Sequence, residues 1–299
     1  MEFRANPAHT TFRWLPDSQT PITDFLQKGD FYMLWDTHMH CHYSGDSDAS
    51  PESMIRAALE KGLDGICFTD HLDLDYREEP GLFSLDFDSY QKEIRQLIDR
   101  YADRLSIRWG IELGLQPHVK EENRAITQSY PFDFVIGSSH CVDCMDIYYP
   151  AYYEGKTEKE AYRHYFEAVL SNVLSDADYD VYGHLDYVVR YGPNKNQFYT
   201  YRSYADIIDE ILRELIARGK GIEINTAGFK YGLGHPNPTE DILRRYRSLG
   251  GEIITIGADG HRPEHVAYDF AKVPAILRDA GFTYYTVFTQ RKPAFLPLP

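Results

Sequence analysis

The segment at 35–52, WDTHMHCHYSGDSDASPE, contains three histidines and three aspartates and follows directly on an apolar run. His38 and His40 are two positions apart, so in an extended strand both side chains lie on the same face and can bind one ion. The same spacing recurs in ADGH, with Asp259 and His261. Imidazole and carboxylate groups are ligands for Zn, Mn, Fe or Co. The two pairs therefore predict a site for a divalent metal ion.

Further candidate ligands follow other apolar runs of the chain. They are His71 after GICFTD, Glu112 at the end of WGIE, His140 after IGSS and His184 after VYG. A lone histidine at such a place is more often a hydrogen-bonded loop residue than a ligand. Here, however, every candidate follows a strand pattern, and parallel α/β folds collect their active-site groups at the carboxyl ends of strands. The shared placement therefore predicts one metal centre.

Strand and helix patterns alternate along the chain. The strand candidates are FYMLW, GICFT (65–69), LSIRWGI (105–111), FDFVIGS (132–138), YDVYG (179–183), GIEIN (221–225), EIITIG (252–257) and FTYYTVF (282–288). The helical patterns span 51–61, 86–101, 158–173, 203–218, 238–249 and 263–279. This alternation indicates an α/β fold with parallel strands joined by helices, either a barrel or a doubly wound sheet.

The composition limits the classes of partner. The chain has 299 residues, 43% of them hydrophobic, which is enough for one large domain with a sizeable core. Its 46 acidic and 31 basic residues give a formal charge of −15, which disfavours nucleic acid and anionic membranes as partners. The four cysteines are too few for a disulfide framework. No apolar run approaches the roughly 20 residues of a membrane span, and the N-terminal sequence lacks the pattern of a signal peptide. We therefore expect a cytoplasmic protein.

Some polar and aromatic residues near the motifs allow more than one interpretation. Asp73 and Asp75 in DHLDLDY either orient His71, contact a cationic group of a substrate, or form a solvated loop. The tyrosine-rich runs at 148–153 and 199–204 are more typical of packing than of a stacking surface.

Seven segments together resemble a known family. DTHMHCHYSGDS, GICFTDH, GIELG, VIGSSH, YGHLDYVVRYG, IEINTAG and EIITIGADGHRPEHV resemble the ordered motifs of the PHP (polymerase and histidinol phosphatase) superfamily, especially its histidinol-phosphatase branch. The resemblance extends from about residue 34 to the C-terminus. It implies a distorted, TIM-like (β/α)7 barrel with three divalent metal ions at the carboxyl ends of its strands. We therefore expect a catalytic barrel domain at 33–299, preceded by an N-terminal extension at 1–32.

The resemblance also implies a ligand set. His38, His40, Glu112 and Asp259 would bind one ion, Glu112, His140 and His184 a second, and Asp46, His71 and His261 a third. Glu112, Asp259 and His261 would be catalytic. Some relatives have a histidine in place of Asp46, and many have a smaller or acidic residue in place of His42. Zn, Mn or Fe would suit these ligands.

The reaction implied by the resemblance is hydrolysis of L-histidinol phosphate, a step of histidine biosynthesis, by attack of a metal-bound hydroxide. Arg190 and Lys230 would contact the phosphate, and His42 would face the substrate. Relatives often have arginine in the place of Lys230. Two alternatives remain, namely a phosphoesterase for another small ester such as a sugar phosphate or a nucleotide, and a non-catalytic metal-stabilised binding module. The oligomeric state is not indicated.

Overall fold

The computed structural model describes residues 33–298. The predicted extension at 1–32 lies outside the described residues, so the domain division stays a prediction. The strands are β1 (Trp35–Met39), β2 (Gly65–Phe68), β3 (His71–Leu72), β4 (Ser106–Gly114), β5 (Phe134–Ser138), β6 (Cys141–Val142), β7 (Met145–Asp146), β8 (Val181–Tyr182), β9 (Gly221–Asn225), β10 (Ile254–Gly257), β11 (Tyr284–Thr289) and β12 (Lys292–Pro297). The helices are α1 (Pro51–Glu60), α2 (Phe87–Tyr101), α3 (Lys120–Ser129), α4 (Glu158–Leu174), α5 (Ala205–Ala217), α6 (Ala227–Lys230), α7 (Glu240–Ser248) and α8 (Val273–Asp279).

Seven parallel strands form the wall of a barrel in the order β1-β2-β4-β5-β8-β9-β10, and the short β3 pairs with β4 beyond the end of β2. β1 and β10, the first and last strands of this order, meet at the predicted metal motifs. There the His40 N–H donates to the Gly260 carbonyl, and the Asp259 N–H donates to the His38 carbonyl, both at 2.9 Å. The expected (β/α)7 barrel is therefore confirmed, and its closure brings the HxH and DGH motifs together.

The helices cover the outside of the barrel and begin where the sequence provides caps. The Ser50 hydroxyl accepts the Ser53 N–H at the start of α1, and Thr157 with Glu160 forms a capping box on α4. The stripe of α5 that faces the barrel consists of Ile207, Ile208, Ile211, Leu212 and Leu215. None of the described helices is long and apolar enough to cross a bilayer.

Two helical predictions were inaccurate. Helix α3 was missed because its sequence KEENRAITQS has no apolar stripe, and its buried residues are the polar Asn123 and Thr127. The helical pattern predicted at 263–279 was wrong over its first half. Ala267 and Asp269 there have positive φ, which ends any regular helix, and only α8 is α-helical.

The last strand candidate does not join the barrel wall. β11 pairs antiparallel with β12 through a tight turn at Gln290 and Arg291, whose φ angles are 51° and 63°. Phe288 of this hairpin stacks on Phe134 at 5.0 Å, and the Arg291 N–H donates to the Asp133 carbonyl. Both contacts lie at the amino-terminal edge of β5, so the hairpin covers the end of the barrel opposite the metal motifs.

Candidate metal centre

The nine predicted metal ligands lie together at the carboxyl ends of the barrel strands. They are His38 in β1, His40 and Asp46 in the loop after it, His71 in β3, Glu112 in β4, His140 after β5, His184 after β8, and Asp259 and His261 after β10. Seven of the nine are buried, the exceptions being Asp46 and His261. So many buried polar side chains require partners, because burial without them is costly.

Glu112 lies at the middle of this group, and its two oxygens face different histidines. Oε1 lies 3.0 Å from His184 Nε2 and 3.4 Å from His140 Nε2. Oε2 lies 3.1 Å from both His38 Nε2 and His71 Nδ1. Burial alone would raise the pKa of Glu112, but the surrounding imidazoles hold it well below its ordinary value. A carboxylate in this position is suited to bridging two ions.

Outer hydrogen bonds determine which nitrogen of His38 and His40 faces the centre. His38 Nδ1 lies 2.7 Å from Glu223 Oε1, and an ionised carboxylate only accepts, so Nδ1 carries the proton. His40 Nδ1 lies 3.0 Å from Ser44 Oγ, whose own proton is donated to Asp70. In the neutral rings both Nε2 atoms are lone pairs 3.1 Å apart, and His38 Nε2 also lies 3.1 Å from Glu112 Oε2. Two imidazole nitrogens and a carboxylate oxygen gathered at these distances are a donor set that fits a divalent metal ion.

His140 is oriented in the same way by Asp73. Its Nδ1 donates to Asp73 Oδ1 at 2.8 Å, whereas His71 Nδ1 lies 3.8 Å from the other carboxylate oxygen. Of the interpretations open for Asp73, the structure supports orientation, with His140 as the main partner. Asp75 is exposed and pairs with Arg77 at 2.8 Å, which agrees with the solvated-loop interpretation.

The third group of ligands is the most open to solvent. Asp46 Oδ2 lies 3.0 Å from His261 Nε2 and 3.8 Å from His71 Nε2. The His261 and His71 rings stack on the His40 ring, with centroids 4.1 and 4.2 Å away. The Asp46 and His261 side chains are 42% and 21% exposed. An ion bound here would lie at the solvent side of the centre.

Arg190 is buried beside the metal ligands. Its Nη1 donates to Asp259 Oδ2 at 2.8 Å, its Nη2 to Asn225 Oδ1 at 2.9 Å and its Nε to Asn237 Oδ1 at 2.9 Å. A guanidinium has five N–H groups, so two are left over for another acceptor. The predicted phosphate contact of Arg190 stays a prediction, and the structure adds a contact with the Asp259 carboxylate.

The two other predicted substrate contacts differ in position. Lys230 Nζ donates to the Asp259 carbonyl at 3.1 Å, and burial lowers the pKa of its ammonium. His42 is exposed, and its Nε2 lies 3.5 Å from Glu93 Oε2 of α2. Lys230 thus lies at the edge of the metal ligands, whereas His42 is directed at a surface helix.

Glu223 is the main residue of this site that the sequence analysis missed. It is fully buried in β9, and its carboxylate accepts from His38 Nδ1, from the His184 N–H at 3.0 Å and from Asn225 Nδ2 at 3.0 Å. A Cβ at Gly257 would lie 2.2 Å from Glu223 Oε1, so the glycine in ITIGAD leaves space for this carboxylate. The available signal was a single charged residue within the otherwise uncharged strand GIEIN.

We expect Glu223→Gln to weaken zinc binding by about 10- to 100-fold while the fold is retained, because the amide can turn its NH2 group toward His38 and disturb the orientation of the ring. Competition between the protein and a chelator for Zn²⁺ measures this change. Glu252→Gln, which alters an exposed carboxylate, serves as the control. Equal zinc affinities of the two variants would contradict the role given to Glu223.

Comparison with known proteins agrees with this geometry. Residues 36–227 match the model of the PHP domain family. A histidinol-phosphatase of Lactococcus lactis is 35% identical over 86% of this chain and 95% of its own. A probable histidinol-phosphatase of Clostridium acetobutylicum is 34% identical over 80% of this chain and 90% of its own.

The structural comparison leads to the same family. The crystal structure of a histidinol phosphate phosphatase from Lactococcus lactis, complexed with zinc, L-histidinol and phosphate, has a TM-score of 0.81 with this chain at 35% identity. It covers 87% of this chain and 98% of its own. The barrel, the clustered ligands and the matched residues have one explanation: the chain belongs to the PHP domain family.

Proposed function

We propose that this chain is a metal-dependent histidinol-phosphatase, which hydrolyses L-histidinol phosphate to L-histidinol and phosphate in histidine biosynthesis. The observation that carries the proposal is the meeting of His38 Nε2, His40 Nε2 and the Glu112 carboxylate inside the barrel, a buried set of donor atoms that suits divalent cations. The substrate is suggested by the Lactococcus lactis relative, whose structure contains zinc, L-histidinol and phosphate.

The proposed centre holds three divalent ions. His38, His40, Glu112 and Asp259 would bind the first, Glu112, His140 and His184 the second, and Asp46, His71 and His261 the third. Mixed nitrogen and oxygen ligands accept Zn, Mn or Fe, and the zinc of the relative favours zinc. When bound, the ions would polarise the phosphoryl oxygens and lower the pKa of bound water to about 7.

The protein's own groups prepare this centre for hydrolysis. Asp73 and Glu223 hold the outer nitrogens of His140 and His38, so the inner nitrogens stay free as ligands. Because these contacts are formed by buried side chains, little reorganisation is needed when the substrate binds. In this proposal Glu112, Asp259 and His261 are the catalytic residues. Glu112 links two ligand sets, and the buried Asp259 lies 3.6 Å from the half-buried His261, beside which the phosphate ester would enter.

The phosphate would be held by Arg190 and Lys230. Arg190 lies next to Asp259 and has two N–H groups left for a phosphate oxygen. Lys230 adds a point charge, which gives less geometric discrimination than an arginine fork. Together with the metal ions, these cations would let a strongly acidic protein bind a phosphate dianion through a local positive field.

An assay of phosphate release tests the proposal. The substrates are L-histidinol phosphate, a sugar phosphate and a nucleoside monophosphate, each at equal concentration with the zinc-loaded protein. We expect kcat/KM to be highest for L-histidinol phosphate. A preference for the sugar phosphate or the nucleotide would instead favour the broader phosphoesterase. Release from none of them would favour the non-catalytic binding module.

Metal removal gives a second test. A strong chelator is expected to abolish phosphate release, and Zn²⁺ or Mn²⁺ should restore it, because ligands from separate strands of a folded barrel keep their positions. Elemental analysis and a thermal melt after chelation would show metal loss and a folded chain. Full activity in protein shown to be metal-free would contradict the mechanism.

We also propose a cytoplasmic location and a separate catalytic domain. The four cysteines are free thiols in the structure, which suits a reducing compartment.

The barrel closes on itself within the described residues, so a variant beginning at residue 33 should retain activity if residues 1–32 are an extension.

A further inference from the structure

Exposed aromatic and apolar side chains are concentrated on one segment at the rim of the metal centre. Among the described residues, seven large hydrophobic side chains are exposed, and Met145, Tyr148 and Tyr149 are three of them. Tyr148 is 58% exposed. The prediction of packing for the run at 148–153 is correct for the buried Tyr152 and Tyr153 but wrong for its first two tyrosines. A cluster of exposed apolar groups beside a functional site is typical of a ligand-binding surface.

Ring contacts connect Tyr148 to the metal ligands. Tyr187 stacks on His184 with ring centroids 4.5 Å apart. Tyr191 lies edge-on to Tyr187 at 5.1 Å, and Tyr148 lies edge-on to Tyr191 at 5.3 Å. We call Tyr148, Tyr187 and Tyr191 the tyrosine ladder. It leads from a ligand of the metal centre out to solvent.

The tyrosine ladder also adjoins the proposed phosphate site. The Arg190 guanidinium lies 4.9 Å from the centre of the Tyr187 ring and 5.0 Å from that of Tyr231. The Tyr191 hydroxyl lies 3.2 Å from the Tyr187 hydroxyl and 3.4 Å from the Tyr231 hydroxyl. The rings are thus held by contacts with one another. A phosphate bound at Arg190 would have the rest of its ester beside them.

The charge at the outer end of the tyrosine ladder, beside Tyr148, favours a cation. Asp146 accepts the Tyr148 N–H at 2.8 Å and the Tyr76 hydroxyl at 2.8 Å. The faces of tyrosine rings carry partial negative charge and attract ammonium and aromatic cations. A negatively charged phosphate therefore suits the metal ligands and Arg190, and a positively charged group suits the outer end of the tyrosine ladder.

We propose that the tyrosine ladder binds the cationic organic half of the substrate and determines the specificity of the enzyme. This inference rests on the proposed function. L-histidinol phosphate carries a primary ammonium and an imidazole, whose ordinary pKa near 6.5 leaves part of it protonated. Tyr148 and Tyr191, the outer rings of the ladder, would attract both groups by cation–π and ring contacts, since Tyr187 is already paired with His184 and Arg190. Sugar phosphates have neither group and would gain nothing from it.

The test compares substrates and product inhibition in Tyr191→Leu, Tyr191→Phe and Tyr148→Leu. For each protein, kcat/KM is measured for L-histidinol phosphate and for glycerol phosphate, which has no ring or cation. We expect the ratio of the two values to fall about fivefold in both leucine variants, as for loss of an exposed cation–π contact, and to be kept in Tyr191→Phe. In the two leucine variants the inhibition constant of L-histidinol should rise, and that of inorganic phosphate should change less than about twofold.

Controls separate this inference from the proposed function. Tyr284→Leu removes an exposed tyrosine of β11, at the other end of the barrel, and should leave the ratio unchanged. Elemental analysis shows whether the variants keep their metal. An unchanged ratio in both leucine variants, or equal losses for the two substrates, would overturn the role of the ladder. Failure of the unmodified protein to hydrolyse L-histidinol phosphate would overturn the proposed function instead.

Discussion

Glu112→Gln is expected to lower kcat/KM for L-histidinol phosphate by at least about 10³-fold and to reduce bound metal, with the fold retained. The glutamine has the same shape, but it lacks the negative charge that lies between two sets of histidines. Its NH2 group would also point a donor at one of these sets instead of a lone pair. Loss of several kcal/mol of metal and transition-state stabilisation corresponds to this factor, because about 1.4 kcal/mol is tenfold in rate.

Three measurements test this prediction. Elemental analysis reports the metal content, phosphate release reports the activity, and a thermal melt reports the fold. Glu60→Gln, at an exposed position of α1, is the matched control and should behave like the unmodified protein. If Glu112→Gln keeps its full metal content and an activity within tenfold of the control, Glu112 does not bridge two ions.

The clustering of the candidate metal ligands could be predicted because it depends on local rules. Side chains alternate between the two faces of a strand, and the carboxyl ends of parallel strands lie at the same end of the barrel. These two facts are enough to bring His38 of β1 to within 3.1 Å of Glu112 in β4, although 74 residues separate them. No knowledge of the loops is needed for that step.

The partners of these ligands could not be predicted in the same way. Glu223 is 185 residues from His38, and the contact depends on the closure of β10 onto β1 and on the space left by Gly257. Asp73 was connected with its neighbour His71 in the sequence, but it bonds to a histidine 67 residues away. Such contacts depend on the register between strands that are distant in sequence, and the residues around each strand do not determine that register.

The pairing of β11, which was correctly predicted as a strand, and the missed helix α3 have a related cause. FTYYTVF has strong β propensity, and propensity does not say which sheet a strand joins. β11 pairs with β12 because a two-residue turn at Gln290 and Arg291 returns the chain on itself. Helix α3 contains charged residues of high helix propensity, but its buried residues are polar, so no apolar periodicity indicates it.

Arg190→Ala is expected to reduce kcat/KM by about 10²-fold or more, because a charge-assisted contact of about 3 kcal/mol to the phosphate is lost. The structure gives this residue a second task, since its Nη1 also donates to the Asp259 carboxylate, a proposed metal ligand. The burial of Asp259 would raise the pKa of its carboxyl, but Arg190 and the histidines hold it well below its ordinary value. The same substitution could therefore act through the substrate or through the metal.

Two readouts distinguish these routes. If Arg190 binds the phosphate, Arg190→Ala will keep its metal and show a raised inhibition constant for inorganic phosphate. If it only positions Asp259, the metal content will fall and restored zinc will recover the activity. Arg190→Lys should remain well below the unmodified protein in either case, since a single ammonium cannot reach Asp259, Asn225 and Asn237 in the fork geometry that the guanidinium uses. An Arg190→Ala protein with unaltered kcat/KM and metal content would remove Arg190 from both roles, and the phosphate would then depend on Lys230 and the metal ions alone.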